Sequence, residues 1–393
     1  MKYAVPGFLA NGIRAGIKEE QKKDLSLIYS TVPARAAAVF TTNAFKAAPV
    51  LLDMERIKSG VAQAILTNSG NANAATGQDG YHDARAMSAA LSEKLAIRDD
   101  LVLVASTGVI GQRLPISKIQ SGIGRLVRGL RPEGIGDAEE AIMTTDRFPK
   151  ISMGKGWIGD REITVCGMAK GAGMIEPHMA TMLSYVLTDA DIDNAILGRI
   201  FRKAVDRSFN AISVDGCMST NDTAIILANG VAGNRIIRGG HDASVFHDLL
   251  DAVMSELSQS MVRDGEGATK LIRIDVRSAR TLSEAKKIAY AVANSNLFKT
   301  ACFGRDANWG RVISAVGSTG IPLTVDAVEV YFEDTAVFKE GCGISCDVEK
   351  LEKIMGRDEL NLRIELGAGT KSFCLHTSDL TYDYVKINAH YHT

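Results

Sequence analysis

The chain has 393 residues, of which 46% are apolar and 23% charged, enough to bury a large core and too apolar for a disordered polymer. Forty-five Lys and Arg against 46 Asp and Glu leave a net charge of −1, so no overall field recruits nucleic acid or anionic lipid.

In chain order, Met1-Lys2-Tyr3-Ala4-Val5-Pro6-Gly7-Phe8 lacks the apolar stretch of a signal peptide, and no run reaches membrane-spanning length, which predicts a cytoplasmic protein. Asn68-Ser69-Gly70-Asn71-Ala72-Asn73-Ala74-Ala75-Thr76-Gly77 is too rich in Gly and Asn for a regular strand or helix. It offers amides and backbone N–H groups, without the lysine of a phosphate loop. Ala84, Met87, Leu91 and Leu95 fall at helical spacing. Leu101 to Ala105 is an apolar run that reads as a buried strand feeding a turn at Ser106-Thr107-Gly108. The charge-dense piece from Arg128 to Glu139 reads as a surface loop.

Gly154-Lys155-Gly156-Trp157-Ile158-Gly159 matches G-x-G-x-x-G. The segment after it, Ile163-Thr164-Val165-Cys166, is strand-like, which predicts a hairpin rather than a dinucleotide site. Lys170 to Ala180 is an irregular loop rich in glycine, and Met182 to Leu187 an apolar β-rich run. Thr223 to Ala228, Leu271 to Val276 and Leu360 to Leu366 read as strands, and Ser244 to Met261 as a helix. Thr281 and Glu284 form a capping box ahead of Ala285, Ile288, Ala289 and Val292. Six cysteines without framework spacing fit reduced thiols; Cys342 and Cys346 with His376 lack the spacing of a zinc site, and free cysteine is a common buried small hydrophobe. The mixture implies α/β or α+β layers, which periodicity cannot separate.

Thr181 stands where the loop enters the apolar run. In isolation it is a threonine at a strand edge. At a new N-terminus it would carry its own base, since an α-amine has an unperturbed pKa of about 7.7–8.0. Small Ala180 would let the Thr181 hydroxyl reach the Ala180 carbonyl for an N-to-O acyl shift. The hydroxyl of Thr107 and the N–H of Gly108 could receive an oxyanion, each donor being worth about 3–4 kcal/mol of barrier.

At these residues the chain resembles the ornithine acetyltransferase family, the glutamate N-acetyltransferases of arginine biosynthesis. The resemblance is carried by Val39-Phe40-Thr41-Thr42-Asn43, Asn68 to Asn73, Ala105 to Gly111, Met143-Thr144-Thr145-Asp146 and Lys170 to Leu183. It continues through Ser219-Thr220-Asn221-Asp222-Thr223, Asp264-Gly265-Glu266-Gly267-Ala268, Asn308-Trp309-Gly310-Arg311 and the closing Asn388 to Thr393. It implies stacked β-sheets flanked by helices, of the N-terminal-nucleophile type, with a smaller C-terminal α/β lobe. It further implies self-cleavage between Ala180 and Thr181 into an α chain of 1–180 and a β chain of 181–393 that stay together, two of each per assembly. Thr181 would pass acetyl from N-acetylornithine to glutamate through an acetyl-enzyme, with Thr107 and Gly108 holding the oxyanion. Thr144, Lys170, Thr181, Glu266, Asn388 and Thr393 match substrate-contacting positions. Lys170 would then face the substrate carboxylate and Glu266 an ammonium group. No metal or prosthetic group is implied, and acetyl-CoA enters only as a second acetyl donor in a bifunctional member.

The sequence departs from the family pattern at Glu176-Pro177-His178, usually Ala-Pro-Asn, at Cys217, frequently acidic, and at Ala75, frequently cysteine. Two rival readings stay open here. One is a self-cleaving amidase or aminopeptidase that gives the acyl group to water. The other is an uncleaved binding protein for acetylated amino acids.

Overall fold

The computed structural model describes residues 3–19, 21–176 and 182–390. Its larger sheet has eight strands, ordered Val102–Val109, Val61–Asn71, Leu25–Phe40, Thr223–Ala228, Leu183–Thr188, Arg161–Lys170 and Ile151–Ile158, with Phe8–Ile13 also paired to Leu25–Phe40. The first part of Leu25–Phe40 pairs with Phe8–Ile13 and most of its register to Val61–Asn71, and its last six residues with Thr223–Ala228. This long strand therefore belongs to both halves of the sheet, and the halves stack face to face. Ile65 and Leu103 from one half share a core with Met168, Tyr185, Leu187 and Ile225 from the other. Across that core Thr67 Oγ1 and Tyr185 Oη are linked at 2.7 Å, which satisfies two hydroxyls that burial would otherwise penalise.

Helices cover both outer faces. Ala64, Leu66, Val102 and Val104 pack on Gly77–Leu95 and Ile116–Arg128. Val165, Val186 and Ile226 pack on Asn194–Arg207 and Gly240–Arg263. Strands buried on two faces need apolar residues at every position, which is why Leu101 to Ala105 shows no alternation. The order is helix, sheet, sheet, helix, the layered α/β architecture expected.

The C-terminal lobe holds a second, seven-stranded sheet, ordered Cys342–Gly343, Thr335–Lys339, Glu329–Phe332, Glu359–Glu365, Leu271–Ala279, Lys371–Ser378 and Ile212–Ser213. Ile274, Val276, Leu362 and Ile364 bury against Leu282–Ala293 and its neighbours. Thr281 Oγ1 accepts from Glu284 N, one half of the anticipated capping box. The last helix, Tyr382–His390, carries Tyr384 and Asn388 to the cavity described below.

Several expectations need correction. Arg128 to Glu139 is not a surface loop: Ile116–Arg128 runs into it, and from Ile135 it is the helix Ile135–Ile142. The charges at Arg131, Glu133 and Glu140 are exposed and mask the periodicity of Ile135, Ala138 and Ile142, which plug the core between the stacked halves. Val61–Asn71 extends through Asn68 to Asn71, so the first four residues of the Asn-rich run are strand after all. Cys342 is exposed rather than buried, and all six cysteines are unpaired. Among the described residues no three His, Cys, Asp or Glu side chains are grouped to hold a metal.

The G-x-G-x-x-G segment is the anticipated hairpin: Ile151–Ile158 pairs antiparallel with Arg161–Lys170 across a turn at Gly159-Asp160. Gly154 is glycine for packing, since a Cβ there would sit 2.6 Å from Leu249 Cδ1. No helix among the described residues is long and apolar enough to cross a membrane.

Candidate active site

One cavity, of about 150 Å³, gathers every described residue singled out from the sequence as a site residue: Thr107, Gly108, Thr144, Lys170, Glu266 and Asn388. Thr181, Ala180, His178 and Thr393 lie outside the described residues. The chain resumes at Met182, which is buried, and enters the strand Leu183–Thr188. Leu183 is flanked by Lys170 on one neighbouring strand and Thr223 on the other. Strand pairing thus sets the segment that follows Thr181 beside two parts of the cavity wall, Lys170 and Asn221.

Thr107 and Gly108 lie within the strand Val102–Val109, not in a turn after it. The pairing with Val61–Asn71 slips there, with Asn71 opposite both Thr107 and Val109. Gly108 has φ +133°, and a Cβ would lie 2.3 Å from the Gly70 carbonyl carbon and 2.5 Å from Asn71 N, so no other residue fits. The asparagines of the neighbouring segment hold this slip together. Asn68 Oδ1 accepts from Ser106 Oγ at 2.6 Å, and Asn71 Nδ2 donates to Gln112 O and Arg113 O. Asn73 Nδ2 donates to Gly80 O. Their amides serve backbone geometry, and from that run only Ala72 lines the cavity.

Lys170 ends its strand with a buried ammonium. Nζ donates to Thr107 Oγ1 at 2.6 Å and to Thr144 Oγ1 at 3.5 Å. Burial pushes its pKa below the usual lysine value, against the opposing pull of Asp146 and Asp222. An ammonium only donates, so Thr107 Oγ1 must accept, which leaves its own hydrogen to point elsewhere. The bonds Lys170 makes within the protein run to two threonine hydroxyls.

Behind Lys170 is a buried charge cluster that sequence reading missed. Lys150, fully buried, donates to Asp146 Oδ1 at 2.7 Å and Asp264 Oδ2 at 2.6 Å. Asp146 also accepts Thr144 N at 2.9 Å and Gly171 N at 2.7 Å, so it fixes the two loops that present Thr144 and Lys170. Burial pushes the Asp146 carboxyl up, but Lys150, Lys170 and these bonds hold it below the ordinary carboxylate value. Removing one partner of a buried pair strands the other charges. Lys150→Met is expected to cost about 3–5 kcal/mol, read as a lower midpoint in denaturant titration. An unchanged midpoint would dismiss the cluster as a structural anchor.

Across the cavity Glu266 is half-buried, with Asn388 Nδ2 donating to its Oε2 at 2.8 Å. Gly173 makes room for it, since a Cβ there would be 2.4 Å from Glu266 Oε2. Asp215 accepts Met174 N and Ile175 N at 2.6 and 2.8 Å, and Tyr384 Oη at 3.3 Å. Asn221, also missed, donates through Nδ2 to Ala72 O at 2.6 Å and Ser106 O at 2.8 Å, tying three cavity walls together. Its signal was present in Ser219-Thr220-Asn221-Asp222-Thr223. The exposed thiol of Cys217 lines the same space.

A small polar cavity, set between stacked sheets and a C-terminal lobe and lined by Lys170, the Thr107 hydroxyl it holds and Glu266, has the make-up of a candidate site for small polar molecules. The chain belongs to the ArgJ family, whose sequence profile matches residues 9–393. It is 49% identical over 391 residues to an arginine biosynthesis bifunctional protein ArgJ from Geobacter sulfurreducens, covering 99% of this chain and 100% of that protein. A protein of the same name from Caldanaerobacter subterraneus is 48% identical over 392 residues, covering 98% of this chain and 97% of that one. Among solved structures, the arginine biosynthesis bifunctional protein from Bacillus halodurans is 34% identical with a TM-score of 0.51. It covers 53% of this chain and 98% of that chain.

Proposed function

We propose that this protein is a self-cleaving acetyltransferase of arginine biosynthesis that moves acetyl from N-acetylornithine to glutamate through an acetyl-Thr181 intermediate. The observation that carries the reading is the convergence of Thr107, Gly108, Thr144, Lys170, Glu266 and Asn388 on one cavity beside the segment that follows Thr181. Cleavage between Ala180 and Thr181 gives an α chain of 1–180 and a β chain of 181–393, which remain folded together. Strands from both sides of the cut alternate in the larger sheet, which supports that co-folding.

The new α-amine of Thr181 takes the proton of its own hydroxyl as Oγ attacks the acetyl carbonyl of N-acetylornithine. Charge builds on the carbonyl oxygen, where the Thr107 hydroxyl and Gly108 N–H receive it. Lys170 holds the Thr107 oxygen so that its hydrogen is turned to that task and polarised for it. Ornithine leaves with a proton returned by the amine. Glutamate then takes the acetyl group by the reverse sequence. Glu266, braced by Asn388, faces the cationic end of ornithine, and Thr144 and Thr393 contact substrate. The acyl group is carried on Thr181, so the cycle needs no metal or prosthetic group. Acetyl-CoA as a second donor would give the two activities that the relatives' name "bifunctional" implies. Two αβ units associate, and the unpaired cysteines suit a cytoplasmic location.

Incubation with acetylornithine and glutamate is expected to yield acetylglutamate and ornithine in equal amounts. Release of acetate alone would favour the amidase reading. In the same assay Glu266→Gln is expected to raise KM for acetylornithine by roughly 10- to 100-fold, the worth of one charge-assisted hydrogen bond. An unchanged KM would remove Glu266 from ornithine recognition.

A further inference from the structure

A second hollow lies away from the active-site cavity and shares none of its lining residues. It is an open cleft of about 860 Å³ between the end of the helix Asn194–Arg207 and the C-terminal lobe. The lobe contributes the strands Leu271–Ala279 and Lys371–Ser378 and the helix Leu282–Ala293. Strand pairing explains why the cleft is there. Ile212–Ser213 pairs with Lys371–Ser378 only at His376 and Thr377, because the chain before Ile212 is the short helical turn Phe209–Ala211. The edge from Ser372 to Cys374 therefore has no strand beside it among the described residues, and the cleft occupies that gap.

Its charge is lopsided. Five cationic side chains, Lys203, Arg207, Arg273, Arg277 and Lys286, line it against two anionic ones, Asp206 and Asp275, in a chain whose net charge is −1. Pairing within the protein does not use up the cations. Asp275 is shared by Arg277 and, at 3.7 Å, by Arg273. Arg207 bonds at 2.9 Å to Asp251, which is not part of the lining, and keeps most of its donors. Lys203 and Lys286 have no carboxylate partner among the described residues, and Lys286 lies over the Phe373 ring, 5.2 Å from its centre. His376, opposite Arg273 on the paired strand, feels the same field: burial pulls its pKa down to about 4, and Arg273 and Arg263 pull the same way.

Like charges gathered in a hollow repel one another and focus their field into it, which favours a ligand of concentrated opposite charge. These cations come from three separate elements that meet at one place, rather than from a stripe along the surface, which suits a small ligand better than a long polymer. Guanidinium groups match phosphate oxygens in pairs, and a chain of phosphates packs several negative charges into so small a space. We propose that this cleft is a binding site for a small polyphosphate, either an inorganic chain or the phosphate chain of a nucleotide, held by Lys203, Arg273, Arg277 and Lys286.

Isothermal titration calorimetry of the purified protein with sodium tripolyphosphate, at about 0.15 M salt without divalent cations, is expected to show one saturable site. Lys203→Ala combined with Lys286→Ala removes the two unpaired cations and is expected to weaken binding at least about 10-fold. Lys350→Ala combined with Lys353→Ala, an equal loss of charge on an exposed helix outside the cleft, is expected to leave binding unchanged. Should the first pair fail to fold, Lys203→Ala alone, at an exposed position, is expected to weaken binding in the same direction. ATP in place of tripolyphosphate separates the two sources: tighter binding supports a nucleotide, and weaker binding an inorganic chain. No saturable binding, an equal effect of the two double variants, or citrate bound as tightly as tripolyphosphate would overturn the proposal.

Discussion

Thr181→Ala is expected to run as one full-length chain and to transfer acetyl at least about 10⁴-fold more slowly than the wild type, the scale of losing a covalent nucleophile. Two described neighbours are ill suited to stand in for it. Cys217 lines the cavity, but partial desolvation there and the carboxylates of Asp215 and Glu176 push its thiol pKa up and away from the reactive thiolate. Thr107 is committed to Lys170 as an acceptor. Thr181→Ser keeps both hydroxyl and amine and is expected to cleave and turn over, more slowly, because the β-methyl that restricts χ1 is gone. Equal rates for wild type and Thr181→Ala would mean that another group carries the acetyl.

Thr107→Val is expected to lower kcat by about 10²- to 10³-fold with little change in KM, since in the proposed mechanism its hydroxyl meets charge that appears only in the transition state. The same change strips the buried Lys170 ammonium of its 2.6 Å acceptor, so a loss of about 1–3 kcal/mol in stability should accompany it. Thr107→Ser restores the oxygen and is expected to recover most of both. A Thr107→Val enzyme with kcat within a few-fold of wild type would take the oxyanion role away from this residue.

Much of the scaffold could be read from local pattern because burial imposes local pattern. Thr223 to Ala228 and the helix from Ser244 have apolar residues wherever they face the core, and the structure places Thr223–Ala228 and Gly240–Arg263 there. Where a segment's role depends on partners far away in sequence, reading failed. Thr107-Gly108 looked like a turn because glycine usually ends a strand. Here the glycine lets the strand slip past Gly70 and Asn71. The Ile135–Ile142 helix was hidden by the charges on its outer side. The six described residues that the family resemblance singles out do meet in one cavity, but the bonds among them were not legible in the sequence. The bond from Lys170 to Thr107, 63 positions away, and the Asp146–Lys150–Asp264 cluster are facts of tertiary packing. They put Lys170 in direct contact with Thr107, the hydroxyl proposed to receive the oxyanion.

Intact-mass analysis of the purified protein, before and after brief exposure to acetylornithine, reaches the core of the proposed chemistry most directly. Two fragments divided between Ala180 and Thr181, with a single acetyl group gained by the heavier one and lost again on adding glutamate, are the expected result. An uncut chain that turns over at full rate, or a β fragment that never gains acetyl while turnover proceeds, would contradict it.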